Sequence, residues 1–239
     1  MSLTTTKLAL GLLFSLTALN AQAALTSYYA VGNIPVVYSS VSNVTWTQDA
    51  NLFKTMYDAD NSLISQIASV TPSYNDPADG SQTIEAGHFS ISSGRMTWWG
   101  GLAFTDYLNS INYGGSSQWR LPSAGANPQL GFNQTGSELG QLFYSELGGT
   151  AFNSIPNTPT FNNEQSYAYW LATEYPPDPY NAWLFLTYNG GQDDFNKSSK
   201  NYAWAVSPGQ VPAIPIPGAL WLMGSGLIGL LSLRMRIRY

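Results

Sequence analysis

Apolar and polar positions change period several times along this chain. Val44-Thr45-Trp46-Thr47-Gln48 alternates and predicts a half-buried strand, with an opening strand before it near residues 36–38. Leu52, Phe53 and Met56 follow at helical spacing, and Leu63–Val70 reads as a further short helix. That helix lies in a segment, 61–93, rich in turn signals: Thr71-Pro72-Ser73-Tyr74-Asn75-Asp76-Pro77 and Asp79-Gly80. The segment therefore reads as a surface insertion. Apolar residues at 98, 99, 102, 103, 107 and 108 predict a helix, which Gly100 and Gly101 weaken. Thr135-Gly136-Ser137-Glu138 fits a capping box opening a second main helix, with Leu139, Leu142, Phe143 and Leu147 on one face. Strand-like runs close the pattern at 167–172, 182–188 and 202–206, with Asn189-Gly190-Gly191 as a hairpin turn. Two main helices early and strands late indicate an α+β domain with a small, mostly antiparallel sheet. No internal repeat is visible.

The two ends have a different texture. Lys7, an apolar stretch from Leu8 to Leu19 and Ala21-Gln22-Ala23 have the layout of a signal peptide, with cleavage between Ala23 and Ala24. At the other end no charge interrupts residues 214–233, and Arg234, Arg236 and Arg238 follow. Pro215 and Pro217 cannot sit inside a regular helix, so a helix is expected over about 218–233. Sixteen residues rise about 24 Å, marginal against a hydrocarbon core of about 30 Å. The arginines should stay cytoplasmic, which places the domain outside. The expected organisation is a leader at 1–23, one domain at 24–209 and a membrane-associated tail at 210–239.

Composition narrows the function classes. The chain has 14 acidic and nine basic residues. Only Lys54, Arg95, Arg120, Lys197 and Lys200 lie between the two ends, against all the acids, which leaves the middle at −9. So acidic a domain is a poor partner for nucleic acid. There is no cysteine, which excludes thiol catalysis, thiolate metal sites and disulfides.

Gly115-Ser116-Ser117-Gln118-Trp119-Arg120-Leu121-Pro122 matches the Gly-x-x-x-Trp-Arg-Leu-Pro hallmark of the Lcl C-terminal domain family (DUF1566), which is related to the C-type-lectin-like fold. Met96-Thr97-Trp98 resembles the start of that family's main helix, and residues 136–144, with Glu138, resemble its second. Tyr169-Trp170, Asn181-Ala182-Trp183 and Tyr202-Ala203-Trp204-Ala205-Val206 resemble its closing strands. The resemblance spans about 44–209. It implies a C-type-lectin-like domain in which Trp119, Arg120, Leu121, Pro122, Glu138, Trp170, Trp183 and Trp204 are structural. Three departures stand out. Residues 61–93 separate Asp58-Ala59-Asp60 from Gly94-Arg95-Met96-Thr97-Trp98, Gln134 stands where many relatives have cysteine, and Ser207 replaces a usual Arg or His.

The tail resembles the PEP-CTERM sorting signals of Gram-negative bacteria, in the variant that opens Val-Pro-Leu-Pro. Ile214-Pro215-Ile216-Pro217 stands at that opening, and Trp221-Leu222-Met223-Gly224-Ser225-Gly226-Leu227 matches the segment after it. Arg234 and Arg236 close the signal. The literal Pro-Glu-Pro is absent. The resemblance implies Sec export, recognition by an exosortase in the inner membrane, removal of the tail and delivery to the cell surface or extracellular matrix, often beside exopolysaccharide production.

Residue chemistry singles out no catalytic set. Trp46, Trp98, Trp119, Trp170, Trp183 and Trp204 read as core, whereas Trp99 should face elsewhere and is the better candidate for an exposed ring. Arg120 should pair with a carboxylate such as Glu138 or Glu174. Asp58-Ala59-Asp60-Asn61-Ser62 begins like a calcium loop, but Leu63 and Ser69 stand where the EF-hand needs Gly and Glu. An irregular calcium site is the one cofactor left open. Asp193-Asp194 reads as a solvated turn. His88, the single histidine, has no nucleophile elbow to serve. The reading is a non-catalytic surface protein that binds a glycan or a protein through loops 61–93 and 124–134. The alternatives are a carboxylate-based hydrolase of surface polysaccharide, using Glu138, Glu146, Glu164 or Glu174, or a purely structural matrix component.

Overall fold

A computed structural model of the chain describes residues 25–214. The expected leader with Ala23 and Ala24 lies outside the described residues. So do Pro215, Pro217, Trp221, Gly224, Ser225, Gly226, Arg234 and Arg236 of the tail. Among the described residues no helix is long and apolar enough to cross a membrane.

In chain order the first half forms β1 (Leu25–Ala30), β2 (Ile34–Ser39), β3 (Val44–Thr47), α1 (Leu52–Ala59) and α2 (Leu63–Val70). A hairpin of β4 (Ser73–Asp76) and β5 (Gly80–Thr83) leads to α3 (Trp98–Ser110). The second half holds α4 (Glu138–Gly140), β6 (Ala168–Glu174), β7 (Asn181–Leu186), β8 (Gly191–Asn196) and β9 (Val206–Pro208). The class is α+β. Strands are not confined to the end, however: β1, β2 and β3 form an antiparallel meander, and β9 joins it beside β3. A separate antiparallel sheet runs β6-β7-β8. The last described residues run beside the end of β1. Ala30 bridges Ala213, Val31 donates its N–H to Pro212 O at 3.2 Å, and Ile214 donates to Tyr29 O at 3.0 Å.

Strands β6 and β7 are buried on both faces, with side chains alternating between two cores, whereas most of β8 is open. Trp170, Ala182 and Leu184 face a core built with α1, α2 and α3. Tyr169, Leu171, Trp183 and Phe185 face a second core with Leu139, Leu142, Phe143, Trp46 and Trp204. Phe143 anchors that second core against the β7–β8 turn. Gly190 there has φ +79°, and a Cβ on it would lie 2.6 Å from Tyr144 Oη, so glycine is needed for both backbone and space.

Several sequence expectations are corrected. Residues 61–93 are not a peripheral insertion, since Leu63, Ile67, Ile84 and Phe89 are all buried in the first core. Trp99 is 2% exposed, and its indole N–H donates to Asp76 Oδ2 at 2.9 Å. Every side of α3 meets protein, so adjacent tryptophans both find an interior. The cap of α4 is Ser137, whose Oγ accepts from Gly140 N–H at 3.1 Å, and not Thr135. The helix continues in π form over Gln141–Glu146. Asp193 and Asp194 lie within β8 and not in a turn. The run 202–206 is a strand only at its end, in β9.

Candidate ligand-binding cleft

The helical layer covers only part of the β6-β7-β8 face it packs on. Beyond it the sheet is open, and a cleft of about 500 Å³ lies there. Register explains the lining. Ala168 stands opposite Leu186, and Leu184 opposite Asp193, so one face carries Ala168, Leu184, Leu186, Asp193 and Phe195. Ser166, Tyr167, Tyr188 and Asn201 complete the walls. Tyr167, Tyr188 and Phe195 are 43%, 47% and 54% exposed, an unusual concentration of open rings. Asn201 is the opposite case. It is 5% exposed, its backbone exchanges two hydrogen bonds with Met96, and its side-chain Nδ2 is buried without a partner. Unsatisfied buried donors are rare enough to ask for an explanation.

The Arg95 guanidinium carbon lies 4.9 Å from the centroid of the Tyr167 ring. Tyr167 and Tyr202 meet edge to face at 6.0 Å. A second cleft of about 580 Å³ lies where residues 126–130 and 175–177 meet Trp183, on the other face of the same sheet. Part of the expected ligand loop 124–134 is there. Its walls are mainly proline and aliphatic, and Tyr175 closes edge-on against Trp183 at 5.0 Å.

Behind the first cleft the hallmark residues brace the fold. Trp119, Leu121, Trp170, Trp183 and Trp204 are all buried. Trp119 donates its indole N–H to Tyr113 O, Trp170 to Met96 O and Trp204 to Thr47 O, each at 2.8–2.9 Å. Pro122 O accepts from Ala172 N–H at 2.8 Å. Arg120 forms a two-pronged pair with Glu138, both contacts 2.7 Å, and Glu138 Oε2 also accepts Ser123 N–H. That fork ties α4 to the segment that bridges Val206 of β9. Glu174 is claimed by a different cation, Lys197. The Lys197 ammonium is 0% exposed, 2.7 Å from Asp76 Oδ2, 2.9 Å from Glu174 Oε1 and 5.0 Å from the Trp98 ring centroid. Burial pushes Asp76 up, but Lys197, Trp99 and the N–H groups of Ala78 and Asp79 outweigh it and hold the carboxyl at about 2. Burial likewise lowers the Lys197 ammonium, and its two carboxylates raise it further than burial lowers it.

The remaining candidates have local duties. His88 shares a 2.7 Å hydrogen bond with Thr97 Oγ1 through Nδ1 and reaches Thr83 O at 2.9 Å through Nε2. Because a carbonyl only accepts, Nε2 carries the proton and Nδ1 accepts. Burial lowers the pKa of this histidine, which favours the neutral ring. Asp60 accepts from Ser62 and Gln66 at the start of α2, and Asp58 pairs with Lys54. Among the described residues no group of three or more His, Asp or Glu side chains could hold a metal ion.

A family model for the Lcl C-terminal domain matches residues 35–207. The chain belongs to the Lcl C-terminal domain family. The match begins inside β2 and ends inside β9, so it takes in residues 61–93, the β6-β7-β8 sheet and the cleft, and leaves β1 of the first sheet outside. Comparison with the curated proteins gives no match. Sequence reasoning named the bracing residues of this Lcl domain but not its cleft. Tyr167 and Tyr188 belong to runs that read as strands, where only pairing register separates an inward ring from an outward one, and Phe195 follows Asp193-Asp194, which read as a turn. Tyr188 offered the one signal, since it directly precedes the Asn189-Gly190 turn, where a large ring has little to pack on.

Proposed function

We propose that this is an exported surface or extracellular-matrix protein of a Gram-negative bacterium, whose lectin-like Lcl domain binds a glycan without turning it over. The observation that carries the reading is the cleft on the β6-β7-β8 sheet. Three open rings surround a buried amide with no partner. Sugar rings present apolar C–H faces and a rim of hydroxyls, which suits aromatic walls with a few polar groups among them. In this reading Sec exports the chain, an exosortase recognises the tail at Pro215 and Pro217, and the helix at 218–233 holds the precursor in the inner membrane. A polysaccharide matrix would then be both destination and ligand.

The test is a glycan array probed with the full chain, followed by analysis of the captured glycans for cleavage. Binding that Tyr188→Ala and Phe195→Ala each weaken, with glycans recovered intact, is the expected result. Released sugar would shift the assignment to a hydrolase. Retention of matrix proteins with no glycan bound would overturn the saccharide reading.

A further inference from the structure

Among the described residues, six other than glycine take the left-handed backbone conformation, and five of them are asparagine: Asn33, Asn43, Asn112, Asn133 and Asn163. Asparagine tolerates that conformation because its short side chain hydrogen-bonds locally. The sixth is Phe152, at φ +69°. A bulky side chain there is an outlier. Burial does not account for it, since the ring is 75% exposed, more than any other large apolar side chain of the described residues. Neither backbone preference nor the core asks for phenylalanine at this position. Strained positions of this kind are held by their surroundings and gather where a protein meets a ligand.

The surroundings of Phe152 lead to the cleft. Its N–H donates to Asn189 O at 2.7 Å, in the turn after Tyr188. Two residues on, Ser154 Oγ lies 3.0 Å from Ser166 Oγ and 3.3 Å from Tyr188 O, and Ser166 and Tyr188 both line the cleft. The Phe152 ring leans on Phe132, with centroids 4.2 Å apart. Phe132 in turn reaches the cleft face of the sheet. Gly191 stands opposite Leu186, a cleft residue, and a Cβ on it would lie 3.3 Å from Leu186 Cδ1 and 3.5 Å from Phe132 Cε1. The pair of rings therefore adjoins the cleft at the β7–β8 turn and extends its aromatic surface beyond its walls. Charge narrows what could lie there. Asp193 is the single charged residue of the lining, and Arg95 rests on the Tyr167 ring without joining the lining, so a polyanion gains no partner from the walls.

We propose that the site takes an internal stretch of a long, uncharged polysaccharide with flat ring faces, a β-1,4-linked glucan by chemical class. Phe195 and Tyr188 carry the units in the cleft, and Phe152, seated on Phe132, carries the units that run on past it. Linkage through opposite equatorial positions keeps successive ring faces in one ribbon, which suits a row of open aromatic rings. The inference rests on the saccharide reading of the cleft and adds the ligand's length and charge to it.

The probes are cello-oligosaccharides of two and of six units, measured against the full chain by calorimetry. The hexasaccharide should bind at least about tenfold more tightly than the disaccharide, as a further aromatic contact together with a choice of registers gives. Phe152→Asn should remove most of that gain. It should also leave the melting temperature level or higher, because asparagine suits the backbone there. Tyr188→Ala should weaken both oligomers. A hexasaccharide no tighter than the disaccharide on the unaltered chain, or a gain untouched by Phe152→Asn, would overturn the extended track and leave the saccharide cleft standing. Binding of neither oligomer, with other glycans retained on the array, would overturn the glucan class. A melting temperature several degrees lower in Phe152→Asn would overturn the proposal by showing that the ring is kept for the fold. Self-association of the unaltered chain in sedimentation, lost in Phe152→Asn, would overturn it in favour of a contact between copies.

Discussion

Lys197 is the residue whose loss should be felt most for its size. Its ammonium is fully buried and neutralised by Asp76, whose side chain is itself 1% exposed. Removing one partner of a buried pair leaves an uncompensated charge and costs about 3–5 kcal/mol. Lys197→Met keeps most of the hydrocarbon volume, so its cost isolates the charge. Asp76 would still hold the donors of Trp99, Ala78 and Asp79, which argues for the lower half of that range. Glu174→Gln should cost only about 0–1 kcal/mol, since that carboxylate is 42% exposed. Urea unfolding followed by tryptophan fluorescence measures both. At an m-value of about 2 kcal/mol per molar, Lys197→Met should lower the midpoint by roughly 1.5–2 M with m unchanged. The double variant Asp76→Asn, Lys197→Met should recover part of the loss, because no lone charge remains. A Lys197→Met variant within about 1 kcal/mol of the parent, or a double variant no better than the single, would refute the argument that the pair neutralises itself in the core.

Joining Asp60 to Gly94, harmless if 61–93 were a surface insertion, should instead abolish cooperative unfolding. It removes four buried apolar side chains together with the Asp76 partner of Lys197, and a soluble product with a sharp thermal transition would contradict this. Acid should act in two stages. Burial raises Asp106, Glu146 and Glu164, so the folded state takes up protons there first and stability should hold or rise slightly as pH falls from 7 toward 5. Asp76 is depressed in the folded state, so its contribution is complete above the unfolded value near 4 and is lost as pH falls toward about 2. Chemical denaturation at stepped pH checks the order, and a steady fall beginning at pH 7 would contradict it. Intact-mass measurement on surface-extracted protein should find a species beginning at Ala24 and lacking Arg234 to Tyr239, and Pro215→Leu with Pro217→Leu should trap the precursor in the inner membrane. A mature species ending at Tyr239 would mean that the tail is an anchor only.

Local pattern revealed a good deal of this architecture. Alternation located β3, strand-like runs located β6 and β7, helical spacing located α1 and α3, 63–70 read as the helix that is α2, and the six tryptophans read as core are all buried. The Arg120–Glu138 fork was nameable because a lone arginine between Trp119 and Leu121 needs a carboxylate partner. Other features failed for identifiable reasons. Lys197 sits in Asn196-Lys197-Ser198-Ser199-Lys200, a run that reads as solvated, and its interior position depends on Asp76, 121 residues earlier. Trp99 looked outward only on the assumption that α3 has an outside. Residues 61–93 read as an insertion because turn signals report local geometry and not where the intervening apolar residues go. The cleft was hidden because exposure of Tyr167 and Phe195 is decided by where the helical layer stops, a tertiary fact without a local trace.

The meeting of β1 with residues 212–214 gives the domain a practical property. Residues 212–214 run antiparallel beside residues 29–31, held by the Ala30–Ala213 bridge and the flanking hydrogen bonds, so Leu25 and Ile214 lie within about 13 Å along one short strand. A domain of this kind is a cassette. It can be spliced into a surface loop of an unrelated host with short linkers and little distortion of either partner, as adjacent termini generally permit. The loop-closure entropy of such a graft grows only slowly with the inserted length. The cleft could then be carried, intact, on a scaffold of choice.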